Sequence, residues 1–106
     1  MTNQELLETA KELFRKCLDL LEKKGKTYSG ELNAFCNFER IADELGINRK
    51  KVWWIYFRKH FDAINNHISG NYSDPEPIEG RIIDAINYLI LLYGMIEQEK
   101  EFKEEK

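Results

Sequence analysis

The segment Glu76-Pro77-Ile78-Glu79-Gly80-Arg81-Ile82-Ile83-Asp84-Ala85-Ile86-Asn87-Tyr88, running on into Leu89-Ile90-Leu91-Leu92, leaves the fold the least choice. Wound at about 100° per residue, it puts Arg81, Asp84 and Tyr88 on one face, with Asn87 beside them. Isoleucine and leucine occupy the other faces. A helix that is apolar almost all round is a buried helix. A carboxylate and a guanidinium are costly there unless they are paired or meet a ligand. The polar stripe therefore points to a site. The competing reading is a structural Arg81–Asp84 ion pair that locks helix to helix.

Three more helices are legible upstream. Leu6, Leu7, Ala10, Leu13, Phe14, Cys17, Leu18, Leu20 and Leu21 recur at three and four, which predicts a helix from about Gln4 to Lys24. Thr2 or Asn3 caps it and Gly25 ends it. Lys26 to Asn33 (KTYSGELN) reads as a loop. A short helix is expected from Phe35 or Asn37 to Leu45, stopped by Gly46. Asn48 caps a third helix, Arg49 to Ile68, which stops near Gly70. Its first turn carries Arg49, Lys50 and Lys51, where cations oppose the helix dipole; they read as a solvated rim, with an anion-facing edge as the alternative. Asp74 is expected to cap the last helix, with Pro75 and Pro77 in its first turn. The charged tail from Glu97 to Lys106 is expected to fray.

The chain thus reads as one all-α domain over residues 1–106: a compact bundle of about four helices, three long and one short. Val52 to Phe57 (VWWIYF) is apolar on every side. In 106 residues such a turn has few places to hide. One face can meet the core and the other a second subunit, so a homodimer or higher homo-oligomer is expected.

Composition narrows the function. A net charge of −3 supplies no basic field for a nucleic-acid backbone, so direct duplex binding is not expected. No apolar run reaches the ~18–20 residues of a membrane span. The polar, acidic N-terminus shows no signal-peptide pattern, which makes the cytoplasm the expected compartment. Cys17 and Cys36 read as reduced, small hydrophobes without the local pairing of a zinc site. No Walker, dinucleotide or nucleophile motif is present.

Polar residues within apolar frames supply the candidates. Lys59 and Asp62 on the third helix are close enough to pair. His60 and His67 share a face but stand ~10 Å apart along the axis, too far for one zinc ion. Glu39 and Asp43 have a spacing that suits a divalent ion together with another carboxylate. Trp53 and Trp54 offer stacking surfaces, although core or interface positions fit them better. The residues placed in a ligand site are Lys26, Tyr28, Asn37, Arg40, Lys59, His60, Arg81, Asp84, Asn87 and Tyr88.

Four segments then recur in a recognisable order: K-x-Y-S-G at Lys26–Gly30, N-F-E-R-I-A at Asn37–Ala42, K-H-x-D-A-I at Lys59–Ile64, and E-P-I-E-G-R-I-x-D-A-I-N-Y at Glu76–Tyr88. Together they resemble the nucleotide modification associated domain 1 family, small helical proteins that are mostly phage-encoded. The resemblance implies a nucleotide-related role inside an infected or lysogenic bacterial host, and it supplies no reaction. The last helix is also faintly similar to that of the MazG-like all-α nucleoside triphosphate pyrophosphohydrolases, which hold magnesium with E-x-x-E and E-x-x-D pairs. Here Arg81 stands where that pattern wants an acid.

The expectation is a protein that binds a nucleotide or nucleotide-derived small molecule without turning it over and without a cofactor. It would serve a base-modification pathway or sequester a host nucleotide signal. Arg81 and Lys59 would hold phosphate or carboxylate oxygens, Asp84, Asn87 or Asn37 would read base or ribose edges, and an aromatic would stack. The first alternative is a magnesium-dependent nucleotide pyrophosphohydrolase using Glu39, Asp62, Glu79 and Asp84. The second is a structural or adaptor protein that binds a host or phage protein.

Overall fold

A computed structural model describes residues 1–25 and 33–104, with side chains through residue 101. Four α-helices follow one another, α1 (Asn3–Lys24), α2 (Cys36–Leu45), α3 (Arg49–Ile68) and α4 (Ile78–Glu104), and no strand occurs among the described residues. The all-α bundle of three long helices and one short one is the expected architecture. None of the helices is long and apolar enough to cross a membrane.

The caps explain most of the boundaries. Thr2 accepts a hydrogen bond from the Glu5 backbone N–H while the Glu5 carboxylate accepts from the Thr2 N–H, a reciprocal capping box. Asn48 caps α3 by accepting from the Lys50 N–H at 2.8 Å. Gly46 ends α2 at φ +65°, a left-handed conformation that favours a residue without Cβ.

Gly25 ends α1 as expected, in a right-handed conformation at φ −57° and ψ −45°. One local expectation is corrected. Asp74 does not cap α4, which starts four residues later; its carboxylate accepts from the Glu76 N–H at 2.9 Å and binds Arg81. Helix α4 runs to Glu104.

Helices α3 and α4 form an antiparallel pair, shown by contacts that run from Lys50–Glu99 through Trp53–Tyr88 to His60–Asp84. The core lies between α2, α3 and the C-terminal half of α4, where Phe38, Ala42, Val52, Trp53 and Met95 are buried with Tyr88, Leu91 and Leu92 against them. The Trp53 indole N–H donates to the Tyr88 carbonyl at 2.6 Å, which satisfies its one polar atom within that core. Helix α2 packs on α3, whereas α1 packs on α4 alone. Cys17 is the buried contact of α1, and it is not joined to Cys36 in a disulfide.

Of the basic first turn of α3, Lys51 is exposed as a solvated rim would be, whereas Arg49 and Lys50 are not. Arg49 is half-buried, donating to Glu39 at 2.8 Å, to Gln98 at 2.9 Å and to the Met95 carbonyl at 3.3 Å, with its guanidinium over the Phe35 ring. Lys50 donates to Glu99 at 2.8 Å. The acceptors from α2 and α4 offset the unfavourable helix dipole and tie three helices together at one end.

Candidate functional site

The opposite end of the α3–α4 pair gathers charge. His60 of α3 is buried, with its ring 5.1 Å from that of Tyr88. Arg81 enters from the first turn of α4. Its Nη2 donates to Asp74 Oδ2 at 2.5 Å, its Nε lies 3.3 Å from Glu76 Oε2, and its Nη1 stands 3.4 Å from His60 Nδ1. Gly80 makes room for this arrangement: a Cβ there would lie 2.8 Å from the Glu76 carboxylate, which folds back over the first turn of α4. Tyr72 Oη donates to the Glu76 carbonyl and pins the same loop.

Asp84, one turn further along α4, does not pair with Arg81. It accepts from Lys24 Nζ at 3.1 Å and lies 4.0 Å from His60 Nδ1. The competing reading of a locking Arg81–Asp84 ion pair is therefore replaced by two separate contacts. Arg81 holds the α3–α4 loop, and Asp84 holds the C-terminal end of α1.

The electrostatics follow from burial and neighbours. Desolvation holds the His60 imidazole below its ordinary value near 6.5 against the opposing pull of Asp84, and the nearby Lys59, Arg81 and Lys24 add to the lowering. A neutral ring with Arg81 donating toward Nδ1 carries its proton on Nε2. The Glu76 N–H first, and then Arg81, hold the Asp74 carboxyl below its usual range. The hydrogen bond to Asp74 raises the Arg81 guanidinium further. Burial, then Asp84, pushes the Tyr88 phenol up.

Asn87 is the unusual member of the group. It is 6% exposed, and both its amide nitrogen and its amide oxygen lack a hydrogen-bond partner. Three residues from Asp84, it lies on the same flank of α4. A buried amide left unsatisfied costs about 1–3 kcal/mol.

The structure thus brings together His60, Arg81, Asp84 and Tyr88 of the predicted set, with Asn87 adjoining. Lys59 and Asp62 are exposed and form no ion pair with each other. Arg40 is exposed on α2, and Asn37 is half-buried beside Cys36. Lys26 and Tyr28 lie outside the described residues. His67 is exposed, with its ring edge-on to Tyr72. Sequence reasoning missed Lys24 and Tyr72 as neighbours of the site. Lys24 carried no signal beyond its place at the end of a helix.

The carboxylates named for magnesium do not assemble. Glu39 is engaged by Arg49 and Asn33, Asp62 faces solvent, Glu79 borders a groove between α1 and α4, and Asp84 is held by Lys24. No group of three or more His, Cys, Asp or Glu among the described residues is placed to hold a metal ion. Compared with protein-family models, curated proteins and solved structures, the chain has no match.

Proposed function

We propose that the protein binds a nucleobase-bearing small molecule, a nucleotide or nucleotide derivative, without turning it over, at the flank of α4 formed by Asp84, Asn87 and Tyr88. The observation that carries this reading is the Asn87 amide, buried with both polar atoms unpartnered. A planar amide offers one donor and one acceptor side by side, the pattern that a base edge completes. Tyr88 and His60 supply aromatic walls, and Lys24, with its side chain 47% exposed, can turn from Asp84 to a ligand oxygen. The likeness of four segments to the nucleotide modification associated family agrees with this chemistry; in the phage setting that likeness implies, such a ligand would be modified or sequestered.

Charge narrows the ligand. Lys24, Arg81 and Lys59 stand against Asp74, Glu76 and Asp84, so no net positive charge surrounds the neutral histidine. That balance disfavours a triphosphate and favours a nucleoside or a nucleotide of low charge. Turnover is disfavoured because the carboxylates are committed to cations and His60 is engaged by Arg81.

Isothermal titration against nucleobases, nucleosides, monophosphates and cyclic nucleotides tests the reading. Saturable heat that disappears in Asn87→Leu, with helical circular dichroism unchanged, is expected. A folded wild-type protein that gives no heat with any of them overturns it.

A further inference from the structure

Among the described residues, α2 covers one side of the α3–α4 pair and α1 packs along α4. Helix α2 packs against the side of α3 that carries Tyr56, with Phe38 6.1 Å from the Tyr56 ring. On the other side, Trp54, Phe61 and Ile68 recur every seven residues along α3, and Leu89, Tyr93 and Ile96 recur at four and three along α4. In an antiparallel pair these two stripes fall on the same face. All six are exposed, Ile68 at 76% and Tyr93 at 66%. Isolated exposed apolar residues are ordinary, but a continuous face across two helices is an interface signature.

The exposed area, to which Leu6, Leu7, Phe14 and Leu18 of α1 also contribute, leaves room for a large partner surface. The chain exposes 8111 Å², where a folded monomer of 12.6 kDa exposes ~6,200 Å². The excess is more than twice the ~800 Å² that each partner buries in a standard interface. The radius of gyration is 16.1 Å against ~13 Å for a compact chain of this length.

Charge selects the partner and its orientation. The outer edge of the α3 stripe carries Lys51 and Arg58 with one acid, Asp62, and the outer edge of the α4 stripe carries Glu97, which pairs with Lys100 at 3.1 Å within the chain, and Glu79, which also borders the α1–α4 groove. Turning a second copy about a two-fold axis parallel to the helices lays α3 of one copy along α4 of the other, so that the basic edge meets the acidic edge. The ends of the helices stay level in this arrangement, which brings Lys51 to the level of Glu97 of the second copy. The perpendicular alternative stacks α3 on α3 and sets like charges together. We propose that this face is the isologous interface of a homodimer, a four-helix core made of two α3–α4 pairs with Lys51 against Glu97 of the second copy. The His60–Asp84–Asn87 flank lies outside that interface.

Sedimentation equilibrium of the full chain tests this independently of ligand binding. A discrete species of twice the chain mass is expected. Leu89→Lys with Tyr93→Lys should give monomer with helical circular dichroism retained. Lys51→Glu should weaken association about tenfold at low salt, and Lys51→Glu combined with Glu97→Lys should restore it. A wild-type monomer at every concentration, a discrete mass other than the dimer, or a dimer that survives the paired lysines overturns the proposal. Failure of the double charge reversal to restore association overturns the assigned orientation.

Discussion

Asn87 and His60 are single residues whose environments make opposite demands. Asn87 is buried with an amide that bonds to nothing, so the folded chain is less stable than it would be with an apolar side chain of similar size. Asn87→Leu is expected to raise stability by about 1 kcal/mol, a shift of a few degrees in thermal midpoint, while removing ligand binding. A scanning calorimetry trace in which Asn87→Leu melts well below the wild type would show that the amide has a structural partner. For His60 the sign is set by burial, which lowers the folded-state value. As pH falls through about 6.5 the unfolded chain takes up its proton first. Stability is therefore full above that pH, declines below it, and levels off once the folded imidazole itself protonates. Urea melts between pH 5 and pH 8 should show this decline in the wild type and a flatter profile in His60→Gln.

At the scale of elements, Arg49 does for one end of the bundle what Arg81 does for the other. Its guanidinium reaches Glu39 of α2 and Gln98 and the Met95 carbonyl of α4 from a half-buried position. Arg49→Met should cost about 2 kcal/mol, because Glu39 and a core-facing carbonyl lose charged donors. Arg49→Lys should recover only part of this, since an ammonium cannot span the three acceptors as a fork. Urea denaturation midpoints check both. The helices themselves were legible because periodicity, caps and glycines agree: Thr2, Asn48 and Gly46 stand where the local rules place them. The contacts of Arg49 were not legible, because a basic first turn looks solvated until acceptors from α2 and α4 arrive. Asp74 misled for a related reason. A D-P-E-P sequence signals a helix cap, but the two prolines keep the chain out of the helix until Ile78, which frees the carboxylate for Arg81. In the site, the α4 stripe was readable from its register alone. Lys24, arriving from a helix sixty residues away, was not.

For the whole molecule, the faces left bare matter as much as the core. Helix α1 rests on α4 alone, and the free face of the α3–α4 pair is apolar along its length. A homodimer that closes this face couples stability to concentration, so a tenfold rise in protein concentration should raise the thermal midpoint of the wild type and leave that of Leu89→Lys/Tyr93→Lys unchanged. Differential scanning fluorimetry across that range reads the difference. The proposed ligand flank lies outside the proposed interface, so the two proposals can be tested separately. The most direct test of the binding reading is therefore made on the amide itself. In nitrogen-edited NMR spectra, the paired side-chain signals of Asn87, assigned by their loss in Asn87→Leu, are followed while nucleosides and low-charge nucleotides are titrated in. Saturable movement of that pair, larger than that of any other side-chain amide, is the predicted result; an Asn87 pair that stays in place while other signals respond to the ligand would contradict it.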